Sequence, residues 1–321
     1  MDSVREARLR WLLRAAAFLH EGGAEPVSGL VLPTSAYFPD PFDGSALAVR
    51  RLCGRMMQHG GLTDVPVELE ILTADGASSG GCKSGGCSKP SANALSGRRV
   101  VATDDGYAIA VGAGEVGHAT MLSTALARAA AAVFLGEAGL DAELDAADYE
   151  PYVDVAGALL GFGVLLANGS HMLHKGCGGV SVQSATALPV EEQVALLAIF
   201  GELHRGAAKT ARSELDAVPR GMLSEATQWA TANAGVIGLV KSDRRALDAD
   251  AYQLSRSQGW FGRSQGWFGR LLGVGGAKAA TVPSDDELER IASTLRAPKR
   301  VDAERARRLA ALRELVDEQL D

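Results

Sequence analysis

The sequence predicts an α+β fold, a small mixed β-sheet with flanking helices followed by a larger all-helical part. Three observations predict it. Short alternating or β-branched runs bounded by Gly, Pro and Asp are confined to the first third of the chain. From Glu115 onward the apolar residues recur with a period near 3.6. Aromatic residues make up 5% of the chain, and alanine is abundant beside 38 glycines, so the core must be built from Ala, Leu and Val, and small side chains favour closely packed helices. Strands first and helices after is the order of an α+β domain, not of repeated βα units.

The elements follow in order. MDSVREARLRWLLRAAAFLHE predicts an amphipathic helix, and Arg5, Arg8, Arg10 and Arg14 interrupt its apolar stretch, so it lacks the apolar segment of a secretory leader. Ser28 to Leu32 (SGLVL) predicts a short buried strand stopped by Pro33, and Pro39 and Pro41 stiffen the loop that follows. Asp43 to His59 fits a helix. PVELEIL, residues 66–72, alternates as a half-exposed strand does. A Gly/Ser-rich loop, residues 76–96, holds Cys82 and Cys87. Arg99 to Thr103 and Tyr107 to Val111 flank Asp104-Asp105-Gly106, a hairpin signal.

Helices are predicted over 115–138, 148–168, 189–205, 207–216 and 219–240, the third opening at Pro189 with Glu191 and Glu192 facing its positive end. SQGWFGR stands at Ser257 to Arg263 and again at Ser264 to Arg270. One extra copy is no solenoid. It reads as an insertion in a surface loop or as an exposed Trp-Phe anchor for a partner. Ser284 opens a helix with the capping box Ser-x-x-Glu, and 301–320 places Leu309, Leu312, Val316 and Leu320 on one face. That pair is expected to dock on the body, engage a protein partner or self-associate. The layout is thus 1–113, an N-terminal α/β part; 114–250, a helical part packed on it; 251–283, a glycine-rich linker; and 284–321, a C-terminal helix pair.

Composition excludes some classes of function. With Lys+Arg 32 against Asp+Glu 39 the net charge is -7, which leaves no footprint for nucleic acid and no basic stripe for a membrane surface. Val155 to Ala167 is shorter than the roughly 18–20 residues of a membrane span, so none is expected. Four cysteines and no export signal point to reduced thiols in a cytoplasm.

One segment carries a resemblance. Glu150-Pro151-Tyr152-Val153-Asp154, then Gly161-Phe162-Gly163 and Ala167-Asn168, resembles the downstream glutamate helix of a little-characterised group of bacterial zincin-like proteins, relatives of the metallopeptidases. Pro189 to Phe200 is similar to the helix that follows it there. The resemblance implies an H-E-x-x-H helix upstream, because two histidines four apart aim both imidazoles at one Zn²⁺ and the glutamate serves as general base. This chain has no such motif. The best alignment puts Ala125-Leu126-Ala127-Arg128-Ala129 there, with alanine at both ligand positions and leucine as the base. A remnant of the site, Ala125, Ala129, Glu150 and Asp154, then has no metal to hold. Glu150 and Asp154, four apart on one helix face, read instead as a buried or half-buried ion pair with Arg128. The implied function is a non-catalytic zincin-like binding or scaffold protein.

The alternative is a metal-dependent hydrolase or a thiol/metal protein. Cys82 and Cys87 in C-x₄-C, with His171, His174 and Cys177 in HMLHKGC, make a legal tetrahedral zinc set if the two halves meet, with His171 and His174 sharing a helix face. Against that stand a local disulfide between Cys82 and Cys87 and His174 as a helix C-cap. Cys177 among glycines is also a candidate nucleophile, with Lys175 or His174 lowering its pKa. Gly112-Ala113-Gly114-Glu115-Val116-Gly117 has dinucleotide spacing, but no βαβ unit follows, so it reads as a strand-to-helix turn. His118 reads as a capping or core residue, and Met121, Met172 and Met222 as core filler.

Overall fold

The computed structural model describes residues 2–72, 99–176, 179–204 and 207–255, all within one unit, Met1–Ser264. The expectations for Cys82, Cys87, Cys177, both SQGWFGR copies and the helix pair 284–321 lie outside the described residues. Helix α1 (Asp2–Glu21) forms as its periodicity predicts. Leu9, Leu12, Leu13 and Leu19 are buried with Ala15, Ala16 and Ala17, while Arg8, Arg10 and Arg14 enter ion pairs. Arg8 donates to both carboxylate oxygens of Glu192, at 2.9 and 2.8 Å, and Arg14 reaches Asp250 at 3.1 Å. The residues that deny this helix a leader-like apolar stretch therefore clip it to later parts of the chain.

Ser28 to Leu32 is not the expected strand. Its backbone finds a different acceptor: the Val31 N–H donates to the Gly161 carbonyl at 2.9 Å. Helix α2 (Ala46–His59) starts at Ser45, whose Oγ accepts the Ala48 N–H at 3.2 Å, and ends on His59. The His59 ring bridges the preceding loop, with Nε2 donating to the Tyr37 carbonyl at 3.0 Å and Nδ1 accepting from the Ser28 hydroxyl at 2.9 Å.

The sheet is small and mixed, as expected. Strands β1 (Val67–Leu72), β2 (Val100–Thr103) and β3 (Gly106–Gly112) lie in the order β1-β3-β2, with β1 parallel and β2 antiparallel to β3. The hairpin turns at Asp104-Asp105, and Thr103 pairs with Gly106. Gly106 has φ +147, and a Cβ there would stand 2.2 Å from the Pro66 carbonyl oxygen, so only glycine fits between the two strands.

Helix 115–138 is in fact two: α3 (Ala113–Val116) and α4 (Ala119–Glu137), divided at Gly117-His118. His118 is the exposed N-cap of α4, not a core residue. Helix α4 is the hub of the fold, touching α2, β2, β3, α5 and α6. Ala125, Ala127 and Ala129–Ala132 are buried along it, which is what lets several elements crowd one axis. Partner helices answer with glycine: Gly157 lies over Ala131 and Gly169 over Thr124.

The segment 148–168 is also divided. Helix α5 (Tyr149–Gly157) passes through a wide, π-type turn at Ala158–Phe162 into α6 (Gly163–Gly169). Within the turn Gly161 adopts φ +99, and a Cβ would fall 2.1 Å from the Gly29 carbonyl oxygen. The interruption frees the Gly161 carbonyl for Val31, so the 28–32 loop is pinned to the middle of a helix.

The region beyond is not wholly helical. Strands β4 (Met172–Gly176) and β5 (Gly179–Gln183) form an antiparallel ribbon, with Leu173 opposite Val182. Helices α7 (Val190–Leu203), α8 (Ala207–Ala211), α9 (Ala217–Ala232), α10 (Ala234–Ser242) and α11 (Arg244–Asp248) complete the described residues. Two stretches are long and apolar enough to cross a membrane, Ala119–Glu137 and Tyr149–Gly169. Both are longer than the Val155 to Ala167 run, from which no span is expected, and both are mostly buried against other elements, the second almost entirely.

Candidate functional site

The chemistry-bearing cluster of the described core is Arg128 with Glu150 and Asp154. Helix α4 supplies Arg128, and α5 supplies the two carboxylates from successive turns of one face, as their spacing requires. Arg128 Nη2 donates to Glu150 Oε2 at 2.6 Å, and Nε donates to Asp154 Oδ1 at 2.7 Å. Its Nη1 reaches the Ala185 carbonyl at 3.3 Å. The second Asp154 oxygen accepts the Leu188 N–H at 2.8 Å. The Asp154 side chain is 0% exposed, Arg128 is 12% exposed and Glu150 is 47% exposed, so the cluster runs from the dry core to solvent. Burial pushes the Asp154 carboxyl up, and Arg128 and the Leu188 N–H pull it back. Burial would lower the Arg128 guanidinium, but Asp154 and Glu150 outweigh it and hold the charge.

A cleft of about 500 Å³ opens beside this cluster, lined by Arg128 and Ala132 of α4, Glu150 and Val153 of α5, and the 184–187 loop. Arg99 enters it from the other side, but both of its terminal nitrogens are held by Glu115, at 2.8 and 2.7 Å. Glu115 also accepts the Gly112 N–H at 2.9 Å. That contact closes the glycine-rich turn at 112–117 on a carboxylate of the chain itself. The turn joins β3 to α3, as its sequence predicts.

The other candidate residues are placed as follows. Ala125 and Ala129 are 2% and 1% exposed and line neither of the two clefts described. On α4 it is Arg128 that meets the carboxylates, and Thr124, one turn earlier, donates its hydroxyl to the Leu165 carbonyl at 3.0 Å. His171 lies past the end of α6 and His174 within β4, so an extended backbone separates them and they share no helix face. Burial lowers the His171 pKa. No group of three or more His, Cys, Asp or Glu side chains that could hold a metal occurs among the described residues. Cys82, Cys87 and Cys177 lie outside them. The fourth cysteine, Cys53, is buried on α2, and burial pushes its thiol up to about 11, the setting of an inert core residue. Met121, Met172 and Met222 are half-buried, whereas Met56 and Met57 are the methionines of the core.

A second cleft, of about 510 Å³, lies at the other end of α4, between that helix, α2, the 33–42 loop and the start of α9. No single motif announces it, because its lining comes from five separate segments, residues 33–42, 48–56, 119–123, 165–168 and 214–216. Compared with known proteins, the chain matches no family model, no curated protein and no solved structure.

Proposed function

We propose that this chain is a non-catalytic relative of the zincin metallopeptidases, and that it acts in the cytoplasm as a binding or scaffold protein. The observation that supports the reading is the engagement of Arg128 with Glu150 and Asp154. Those carboxylates stand in the segment that resembles the zincin glutamate helix, and a guanidinium 2.6 to 2.7 Å from each satisfies them electrostatically. A dication placed between them would meet the Arg128 charge at close range.

The geometry also favours an alignment one residue earlier. Thr124 and Arg128 are four apart and both turn toward the run from α5 to α6, so they would take the two histidine positions, with Ala125 in place of the base. In either register the nucleophile-generating metal has no imidazole to bind, and no carboxylate stands beside the first ligand to take a proton. What remains is a polar cleft with its charges internally matched.

The test is a proteolysis assay on an unfolded protein substrate, with and without a zinc chelator, run beside elemental analysis of untagged protein. The expected result is no chelator-sensitive cleavage and far less than one equivalent of any transition metal. Chelator-sensitive cleavage that disappears in Glu150→Ala overturns the reading. Stoichiometric zinc lost on changing Cys82 and Cys87 to alanine would instead establish the metal or thiol alternative.

A further inference from the structure

The second cleft has a built character that the Arg128 site lacks. Its floor is apolar: Met56 of α2, Leu122 of α4 and Leu165 of α6 are buried, and Phe38 and Phe42 line it. Its volume of about 510 Å³ falls within the ordinary range for small-molecule sites. The polar groups are asymmetric. Asp40 is held by Arg55, whose Nε donates to it at 2.7 Å, so that pair is satisfied. Across the cleft Asn168 uses both ends of its amide to fix the opposite rim, donating to the Glu214 carbonyl and accepting the Asp216 N–H, at 2.9 and 2.8 Å.

That rim presents Asp216, whose carboxylate accepts no capping hydrogen bond among the described residues. Asp216 is the N-cap of α9, where an aspartate ordinarily accepts the N–H of the second or third helical residue. Here the third residue is Pro219, which has no N–H, and the Asp216 side chain makes no capping bond. Arg220 gives its guanidinium to the Leu215 carbonyl and acts on the exposed Asp216 through space rather than by a hydrogen bond. Three acidic residues, Asp40, Glu214 and Asp216, and one arginine, Arg55, line the cleft, a formal balance of -2.

From this juxtaposition of an apolar cavity and an uncommitted carboxylate rim we infer that the cleft binds a small amphipathic amine, its aryl or alkyl body against Phe38, Phe42 and Leu122 and its ammonium at Asp216. The apolar floor supplies the affinity and the rim selects the head group, the usual division in such sites. The inference gives the binding role a ligand class, and it stands or falls apart from the zincin-like reading because the cleft shares no lining residue with the Arg128 site.

The experiment titrates the full chain, in the presence of chelator, with three probes that share one aryl body: 2-phenylethylamine, 2-phenylethanol and 3-phenylpropanoate. Binding is read by NMR of the ligands and by calorimetry. The amine is expected to bind most tightly and the carboxylate most weakly. Asp216→Asn is expected to weaken the amine about fivefold and leave the alcohol unchanged, a surface ion-pair effect. Phe42→Ala is expected to weaken all three probes. Both side chains are exposed, so the thermal melt of each variant should match the parent and report that the fold is kept. Equal binding of amine and carboxylate, absence of binding by all three, or an amine affinity unchanged in Asp216→Asn overturns the inference. Chelator-sensitive proteolysis would overturn only the non-catalytic reading.

Discussion

Arg128→Ala removes the basic side chain paired with Asp154 among the described residues and leaves a carboxylate that is 0% exposed with backbone N–H groups, Leu188 foremost, as its remaining donors. Breaking a buried pair by deleting one partner costs about 3–5 kcal/mol, because the surviving charge stays buried and uncompensated. Glu150 is 47% exposed and regains water, so its share is small. The expected loss is therefore at the lower end, about 3 kcal/mol, and it belongs mostly to Asp154. Asp154→Asn keeps an acceptor for Leu188 and leaves Arg128 its bond to Glu150, so its cost is expected near 1 kcal/mol.

Urea unfolding followed by circular dichroism at pH 7 measures both, and the double variant closes a cycle. The double variant should be more stable than the sum of the single losses predicts, with a coupling of at least about 1.5 kcal/mol. The pH dependence has a definite sign. With Arg128 gone, only the backbone N–H groups of Leu188 and Ala187 still oppose burial among the described residues, so the folded pKa of Asp154 lies further above the unfolded value than it does in the parent. The penalty in Arg128→Ala is then present at neutral pH and relieved as pH falls through that folded pKa, and the recovery should exceed the parent's. A coupling below about 0.5 kcal/mol, or a variant that gains nothing on mild acidification, would refute the view that Arg128 and Asp154 form one electrostatic unit.

Two further perturbations probe the helical core. Gly161→Ala places a methyl group in a φ +99 backbone and into the Gly29 carbonyl, so it should cost about 3 kcal/mol by denaturant titration, with the 28–32 amides losing hydrogen-exchange protection first. Gln193 on α7 is 0% exposed and neither end of its amide has a hydrogen-bond partner, so Gln193→Met, similar in shape and apolar, should raise the urea midpoint by the equivalent of about 1 kcal/mol.

Local signals in the sequence carried far, and nonlocal ones did not. The Asp104-Asp105-Gly106 turn and the alanine-dense α4 are legible because turn chemistry and apolar period act over a few residues, whereas α2, expected from Asp43, starts at Ala46 behind the Ser45 cap. The ion cluster is legible for the same reason: two acids four apart and one arginine on the preceding helix leave few arrangements. Ser28 to Leu32 looks like a strand because its side chains are apolar, yet its backbone bonds to a kinked helix some 130 residues on, and only Gly161 hints at that partner. The β4–β5 ribbon was masked by histidine, lysine and glycine in a stretch where Leu173 and Val182 stay exposed on both strands, so no buried face imposes a clean alternation. The amine cleft is a product of five segments, and nothing in any one of them marks it.

The engagement of Arg128 has a consequence for how the molecule meets its surroundings. A cation carried on a side chain has no dissociation constant, since it arrives with the polypeptide in a ratio of one to one and cannot be diluted, titrated away or displaced by a competing ion. The pairing of Glu150 and Asp154 with one guanidinium is thus independent of metal supply, so the α4–α5 contact is complete as soon as the two helices meet.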